Sequence, residues 1–364
     1  MRRLAVAGGG TGGHLYPGIA VAREAMSKGA EVVFIGTESG IEAKVLPREG
    51  LKLRTIKAGK YMGMGALGKL RTACMTPGSV LSSMAILREF RPEAVMGVGG
   101  YASFPAVLAA RLMGVPVVIQ EQNAYPGLTN RTLGRFAAKV ALGFAEAARF
   151  FPEGRTEFTG NPIRMELFGA DRAEALGSLG LDEGRLTVLV FGGSAGAHTI
   201  NRAAIGALPL LGELKGRVQF IHQTGGKDLE MVEAAYRDNG FRAVASAFIY
   251  DMRSAYACAD LAVCRSGALT LAELTALGRP AVLVPYPFAA SNHQEINARA
   301  MESKGAAVVI KDGEATPARL AAELTRLIGD RALLARMAGA SHEMGRPDAA
   351  ADVLRLIEDA AKAA

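Results

Sequence analysis

Leu4-Ala5-Val6-Ala7-Gly8-Gly9-Gly10-Thr11-Gly12-Gly13-His14 decides how this chain folds, because an aliphatic run stops there at glycines and a helical period follows. A strand that feeds a helix through glycine points backbone N–H groups and a positive dipole end at whatever lies above it. Anions, phosphates above all, bind at such ends. The same design returns where Leu186–Phe191 runs into Gly192-Gly193-Ser194-Ala195-Gly196. Two such turns, far apart in sequence, predict two Rossmann-like lobes facing one cleft, an arrangement that brings two substrates together.

Working outward, short apolar runs alternate with stretches of helical period. In the first half they are Leu4–Ala7, Val32–Ile35, Ala94–Val98, Val115–Ile119 and Lys139–Phe144. In the second they are Leu186–Phe191, Val218–His222, Ala243–Phe248, Leu261–Cys264, Ala281–Pro285 and Ala306–Ile310. Continuously apolar runs fit strands covered on both faces, so the fold class is α/β with two parallel sheets built from βαβ units. A strand gives way to turn residues at Phe158-Thr159-Gly160-Asn161-Pro162, which places the lobes at 1–162 and 163–345. Thr316-Pro317 opens a late helix, Gly345-Arg346-Pro347 breaks the chain, and a final helix over 346–364 is expected to pack back on the first lobe.

The bulk properties narrow the function. At 364 residues, two domains are the expectation, and 21% charged residues with 44 glycines describe a globular chain. Cys74, Cys258 and Cys264 have no CxxC spacing, so no disulfide framework or zinc site is implied, and a reducing compartment is expected. The first apolar run is too short and glycine-broken for a signal peptide, and no segment reaches the roughly 20 apolar residues of a membrane span. The net charge of +7 favours an acidic partner. With 6% aromatics and no Trp, nucleic acid is not the expected one.

Several residues are candidates for chemistry. His14 opens a helix, where the dipole favours a neutral ring able to act as a base; a capping role for the glycine loop is the alternative. Gly97-Val98-Gly99-Gly100-Tyr101 again puts N–H groups at a helix start, although a tight structural turn explains it nearly as well. In Cys264-Arg265-Ser266-Gly267-Ala268-Leu269-Thr270-Leu271-Ala272-Glu273, the small turn lets an anion approach the helix, and Glu273 is placed to accept ribose hydroxyls. Gln120-Glu121-Gln122-Asn123 and Ser291-Asn292-His293-Gln294 sit where strands end, and their amides suit sugar hydroxyls. Gly8, Gly10 and Gly13 also satisfy G-x-G-x-x-G, with Glu38 as a ribose-binding acid, so a nicotinamide or flavin oxidoreductase competes. A non-enzymatic nucleotide sensor is the third reading.

Taken together, the loops Gly9–His14, Gly97–Tyr101 and Gly192–Ala197 with Cys264–Thr270 resemble the MurG family of bacterial peptidoglycan glycosyltransferases, in order and spacing from Leu4 to about Met344. The resemblance implies a GT-B fold and inverting, metal-independent transfer of N-acetylglucosamine from UDP-N-acetylglucosamine to the C4 hydroxyl of the muramyl sugar of lipid I. The product is lipid II, and no cofactor is needed. Carried over by position, the donor is bordered by Thr11, Gly12, Gly13, Asn123, Arg164, Ser194, Ile249, Ala268, Leu269, Thr270, Leu271, Ala272, Glu273 and Gln294. The acceptor meets Gly12, Gly13, His14, Gly99, Gly100 and Tyr101, and the catalytic base is His14 or Glu121. Three positions depart from the family's usual pattern: Ala195 stands where Gln is common, Gln120 where His is, and Tyr250 where an acid precedes Asp251.

Because the acceptor carries a polyprenyl chain, the resemblance also implies a peripheral protein on the cytoplasmic face of the membrane, among cell-wall synthesis and division partners. Lys60, Lys69, Arg71 and Arg88 are interspersed with Leu67, Leu70, Met75, Val80, Leu81 and Met84, a mixture that would bind anionic lipid. The alternative is a helix whose aliphatics are all core and whose cations are solvated.

Overall fold

The computed structural model describes residues 1–59, 66–193 and 195–364, and only the backbone of 66–73. The chain divides into two compact units, Met1–Arg164 with Arg346–Ala364, and Met165–Gly345. The first holds strands β1 (Arg3–Gly8), β2 (Glu31–Gly36), β3 (Lys52–Thr55), β4 (Ala94–Gly99), β5 (Val117–Glu121), β6 (Lys139–Leu142) and β7 (Thr156–Phe158). The second holds β8 (Leu186–Phe191), β9 (Val218–Gln223), β10 (Ala243–Ser246), β11 (Leu261–Cys264), β12 (Ala281–Leu283) and β13 (Ala307–Val309).

Each unit forms one parallel sheet, ordered β3-β2-β1-β4-β5-β6-β7 and β10-β9-β8-β11-β12-β13. In both, the order reverses beside the first strand, between β1 and β4 and between β8 and β11. The crevice at the carboxyl ends of those strands is where open α/β sheets bind ligands. Each glycine turn opens at the crevice of its own unit's sheet.

The helices of the first unit are α1 (Gly12–Ser27), α2 (Glu42–Arg48), α3 (Ala66–Phe90), α4 (Ser103–Leu112) and α5 (Leu128–Leu133). The second has α6 (Arg172–Ser178), α7 (His198–Ala207), α8 (Leu229–Asn239), α9 (Met252–Cys258), α10 (Ala268–Ala276), α11 (His293–Ser303), α12 (Pro317–Gly329) and α13 (Arg331–Met344), and α14 (Ala349–Lys362) returns to the first. Leu4, Ala5, Val6 and Ala7 are fully buried, as the continuous apolar run requires of a central strand covered on both faces. On one face of that sheet Val353, Leu354 and Ile357 of α14 pack with Leu4, Val6 and Val118. The opposite face is covered by Ile86 and Leu87 of α3 and Ala106 and Val107 of α4.

Two elements differ from the sequence expectation. The strand β3 was hidden because Lys52-Leu53-Arg54-Thr55 is an edge strand with mostly exposed, polar side chains, which lacks the apolar run of a buried one. The helical stretch after Thr316 breaks at Asp330, whose carboxylate accepts from Leu333 N at 2.8 Å and so starts α13. Thr316 caps α12 as its Thr-Pro signature predicts, accepting from Arg319 N at 3.2 Å.

Among the described residues, no helix is long and apolar enough to cross a membrane. Of the residues expected to touch lipid, Val80 is 8% exposed and belongs to the core, and Met84 packs against that core, so neither offers lipid a surface. Leu81 is 67% exposed and Arg88 is exposed. Lys60 and the side chains of Leu67, Lys69, Leu70 and Arg71 lie outside the described residues.

Candidate active site

In the first unit the β1 and β4 turns meet backbone to backbone. Gly9 N donates to Gly99 O at 3.3 Å. A Cβ on Gly8 would stand 2.4 Å from Gly99 O, and one on Gly100 would stand 2.2 Å from Gly9 O. These glycines are therefore demanded by packing. Gly13 is different: the nearest atom a Cβ there would meet is Thr11 Oγ1 at 3.9 Å, and the residue is exposed. Its bareness keeps the start of α1 uncovered, where Thr11 occupies the N-cap without a side-chain hydrogen bond. The N–H groups at that end present the positive dipole to the crevice.

His14 sits in the first turn of α1, with Nδ1 2.9 Å from Gln122 Oε1. The Gln122 amide cannot be turned round, because its Nε2 donates to Val98 O at 2.9 Å and Gln120 O at 3.1 Å, both pure acceptors. Its oxygen must therefore face the ring, which puts the His14 proton on Nδ1 and the lone pair on Nε2. That is the tautomer a general base needs. Sequence reasoning placed Gln122 only within a polar run; nothing local marked it as the partner of His14.

Glu121 is 1% exposed, and its oxygens accept from Asn123 N (2.9 Å), Asn130 Nδ2 (2.9 Å), Gly127 N and Asn123 Nδ2 (both 3.3 Å). Burial raises its pKa above the ordinary carboxylate value, against the lowering effect of those bonds. With both oxygens engaged, Glu121 holds the Asn123–Gly127 loop in place. Gln120, fully buried, donates to Asn161 Oδ1 at 2.9 Å.

Gly99 lies against this pair, since a Cβ there would stand 3.4 Å from His14 Cε1. Tyr101 follows on the same turn, its hydroxyl 3.1 Å from Thr37 Oγ1. Arg164, expected to open the second lobe, closes the first unit instead, with its guanidinium 5.7 Å from the Tyr16 ring centre. Glu38, the acid a dinucleotide site would use, is exposed and accepts from Thr55 Oγ1 at 3.3 Å. The Gly10 N–H is already given to Glu42 Oε2 at 2.8 Å. A pyrophosphate therefore loses one of the donors that the dinucleotide reading needs.

The second unit repeats the logic. A Cβ on Gly192 would stand 2.1 Å from Ala197 Cβ and one on Gly196 2.0 Å from Thr224 O, whereas Gly193 has nothing within 4 Å. Ser194 lies outside the described residues. Across the switch point, Gly267 occupies the N-cap of α10 without a side-chain cap and no acid stands in the first turn, so Ala268, Leu269 and Thr270 present an anion-binding helix start. Leu271 is buried and Ala272 half-buried one step further along. The Tyr256 hydroxyl donates to Glu273 Oε2 at 2.8 Å and so orients the carboxylate on α10.

Two contacts tie these loops together. Ser266 Oγ donates to Gln294 O at 2.8 Å, and Gln294 Oε1 accepts from Tyr286 N at 3.0 Å. Gln223 spans two loops, donating to Gly193 O and accepting from Ile249 N, each at 2.8 Å. One backbone group of Ile249 is thus occupied within the protein. Ser291 and Asn292, ahead of α11, hold φ of +53° and +54°, a left-handed conformation costing about 1–2 kcal/mol per residue. Such strain gathers at ligand sites.

On β9, His222 is fully buried. Asn201 gives its Nδ2 to Thr224 O (2.8 Å) and Asp228 Oδ2 (2.7 Å), so its Oδ1 receives the proton on His222 Nε2 at 3.0 Å. His222 Nδ1 then accepts from Tyr236 OH at 3.0 Å. Burial pulls the imidazole from 6.5 to about 3, so the ring stays neutral.

Comparison with known proteins agrees with both halves. The Glycosyltransferase family 28 N-terminal domain matches residues 4–142, and the Glycosyltransferase family 28 C-terminal domain matches residues 187–353. The chain is 47% identical to a "UDP-N-acetylglucosamine--N-acetylmuramyl-(pentapeptide) pyrophosphoryl-undecaprenol N-acetylglucosamine transferase" of Citrifermentans bemidjiense, over 96% of this chain and 97% of that protein. It is 46% identical to the protein of the same name from Myxococcus xanthus, over 99% and 93%. The crystal structure of Acinetobacter baumannii MurG superposes with a TM-score of 0.81 at 32% identity, covering 99% of this chain and all of that one. With a GT-B pair of parallel-sheet domains and near full-length identity to these proteins, the chain belongs to the MurG family of N-acetylglucosaminyltransferases, within glycosyltransferase family 28.

Proposed function

We propose that the protein transfers N-acetylglucosamine from UDP-N-acetylglucosamine to the C4 hydroxyl of the muramyl sugar of lipid I, forming lipid II. The observation that carries the chemistry is the His14–Gln122 hydrogen bond, which leaves the lone pair on Nε2 at the switch point of the first sheet. His14 Nε2 takes the hydroxyl proton as the oxygen attacks the anomeric carbon. The bond from that carbon to the diphosphate breaks, its electron pair leaves with UDP, and the new linkage is β.

Charge on the leaving diphosphate is met by the N–H groups of Ala268–Thr270 at the start of α10 and by the Ser194 loop, with Arg164 adding a cation. Glu273 accepts from the ribose, Ile249 borders the base, and Gln294 and Asn123 hold the sugar. Thr11–Gly13, Gly99, Gly100 and Tyr101 border the acceptor. Leu81 and Arg88 on α3 support a peripheral contact with an anionic membrane surface.

The test is transfer of radiolabelled N-acetylglucosamine from its UDP form to a lipid I analogue, with EDTA present and UDP-glucose and UDP-N-acetylgalactosamine as controls. Product from UDP-N-acetylglucosamine alone, unaffected by EDTA, is expected. UDP binding without product refutes the acceptor assignment.

A further inference from the structure

Glu42 opens α2 with its side chain fully buried, and among the described residues no lysine or arginine forms an ion pair with it. A buried carboxylate without a cation persists only where hydrogen-bond donors replace its water. Here Gly10 N donates to Oε2 at 2.8 Å, while Thr37 N and Thr37 Oγ1 donate to Oε1 at 2.9 and 2.8 Å. The socket is cut to fit. A Cβ on Gly9, Gly36 or Gly40 would stand 2.5, 2.6 or 2.2 Å from an atom of this side chain.

The contact continues outward. Thr37 Oγ1 gives its proton to Glu42, so in the 3.1 Å contact with Tyr101 OH it is the acceptor and the tyrosine donates. The Tyr101 ring is thereby held against Gly10, where a Cβ would stand 2.9 Å from Cε1. Tyr101 also lines a 390 Å³ cavity with Ser79, Phe104, Leu128, Thr129 and Thr132, a wall of hydroxyls and apolar surface with no charged group among the described residues.

We propose that Glu42 is a positioning residue for the acceptor, fixing the Gly10 backbone directly and the Tyr101 ring through Thr37. This rests on the transferase reading, in which Tyr101 and the first glycine loop border lipid I. One carboxylate sets the two loops that flank the acceptor, from beneath and without touching it.

The experiment is steady-state transfer by Glu42→Gln and Thr37→Val, with donor and acceptor varied separately, alongside hydrogen exchange of the full chain. E42Q keeps the shape but faces one of its three donors with an NH2 group. Its kcat/KM for a lipid I analogue is expected to fall about 10–100-fold, with the donor KM and the thermal shift produced by UDP within twofold of wild type. T37V falls several-fold in the same sense, and less than twofold further when Tyr101→Phe is already present. Amide exchange over residues 8–12 and 100–102 rises in E42Q while β8 and β11 are unchanged. Unaltered acceptor kinetics in E42Q, or equal losses for donor and acceptor, overturn the proposal. If wild-type protein makes no lipid II analogue, the transferase reading fails, and the exchange pattern still decides whether Glu42 holds both loops.

Discussion

Acidification tests the buried His222 network most directly. The ring is neutral when folded, with its pKa drawn from 6.5 down to about 3, so below pH 6.5 the unfolded chain binds a proton that the folded one refuses. The stability this group allows is fully present above pH 6.5 and is lost as pH falls toward 3. At about 1.4 kcal/mol per pH unit the whole window is worth about 5 kcal/mol, comparable to the stability of a modest domain. Between pH 6.5 and 5, before most carboxylates titrate, the expected loss is about 2 kcal/mol. Urea unfolding followed by far-UV circular dichroism measures it: with a slope of about 2 kcal/mol per molar, the second unit's midpoint moves down by about 1 M. His222→Gln supplies the same donor to Asn201 and the same acceptor to Tyr236 without a titrating ring, and its midpoint should hold nearly constant across that range. Equal pH sensitivity in wild type and H222Q refutes the assignment of the loss to this imidazole.

The remaining predictions concern the two ligand-binding faces. His14→Ala should lower turnover by roughly 10²–10⁴ while the UDP dissociation constant stays within twofold, and Gln122→Met, which frees the tautomer, should cost roughly tenfold in turnover; single-turnover transfer measures both. Glu273→Ala removes a charged acceptor from the proposed ribose contact, worth about 1.5–3 kcal/mol, so the donor KM should rise roughly 10–100-fold in initial-rate assays with the acceptor KM unchanged. Gly100→Ala places a methyl 2.2 Å from Gly9 O at a φ of +79° and should destabilise the first unit by about 2–4 kcal/mol, read as a fall in melting temperature, whereas Gly193→Ala, in open space at φ +100°, pays only the backbone strain.

Much of the architecture was legible because it is written locally. Continuous apolar runs of four to six residues are the mark of strands covered on both faces, and eleven of the described strands carry such a run, from Leu4–Ala7 to Ala306–Ile310. β3 and β7 lie at the two edges of the first sheet, where polar side chains meet water and the apolar run disappears. Thr316-Pro317 and Asp330 act within a single turn of helix, yet only the first announces itself, because proline is unmistakable and an aspartate is not. The glycine-rich turns between strand and helix also declared themselves.

What each glycine, carboxylate and imidazole does in those places required the fold. Gly8 and Gly100 serve close backbone packing while Gly13 and Gly193 leave room above a loop, a distinction invisible in a string of identical letters. His14 and Gln122 are 108 residues apart, and they meet because β4 lies beside β1 and β5 beside β4 in the sheet order. Burial ties Glu121 to Asn123, Gly127 and Asn130, and Glu42, four residues beyond Glu38, holds the Gly10 N–H, contacts that nothing local in the sequence marks. The sequence by itself determined the apolar strands and the glycine turns between strand and helix, since dihedral preference and apolar periodicity act over a few residues. Tertiary structure alone decided protonation sites and the roles of the buried acids, because a proton's position and a charge's cost depend on partners that only strand order brings within 3 Å.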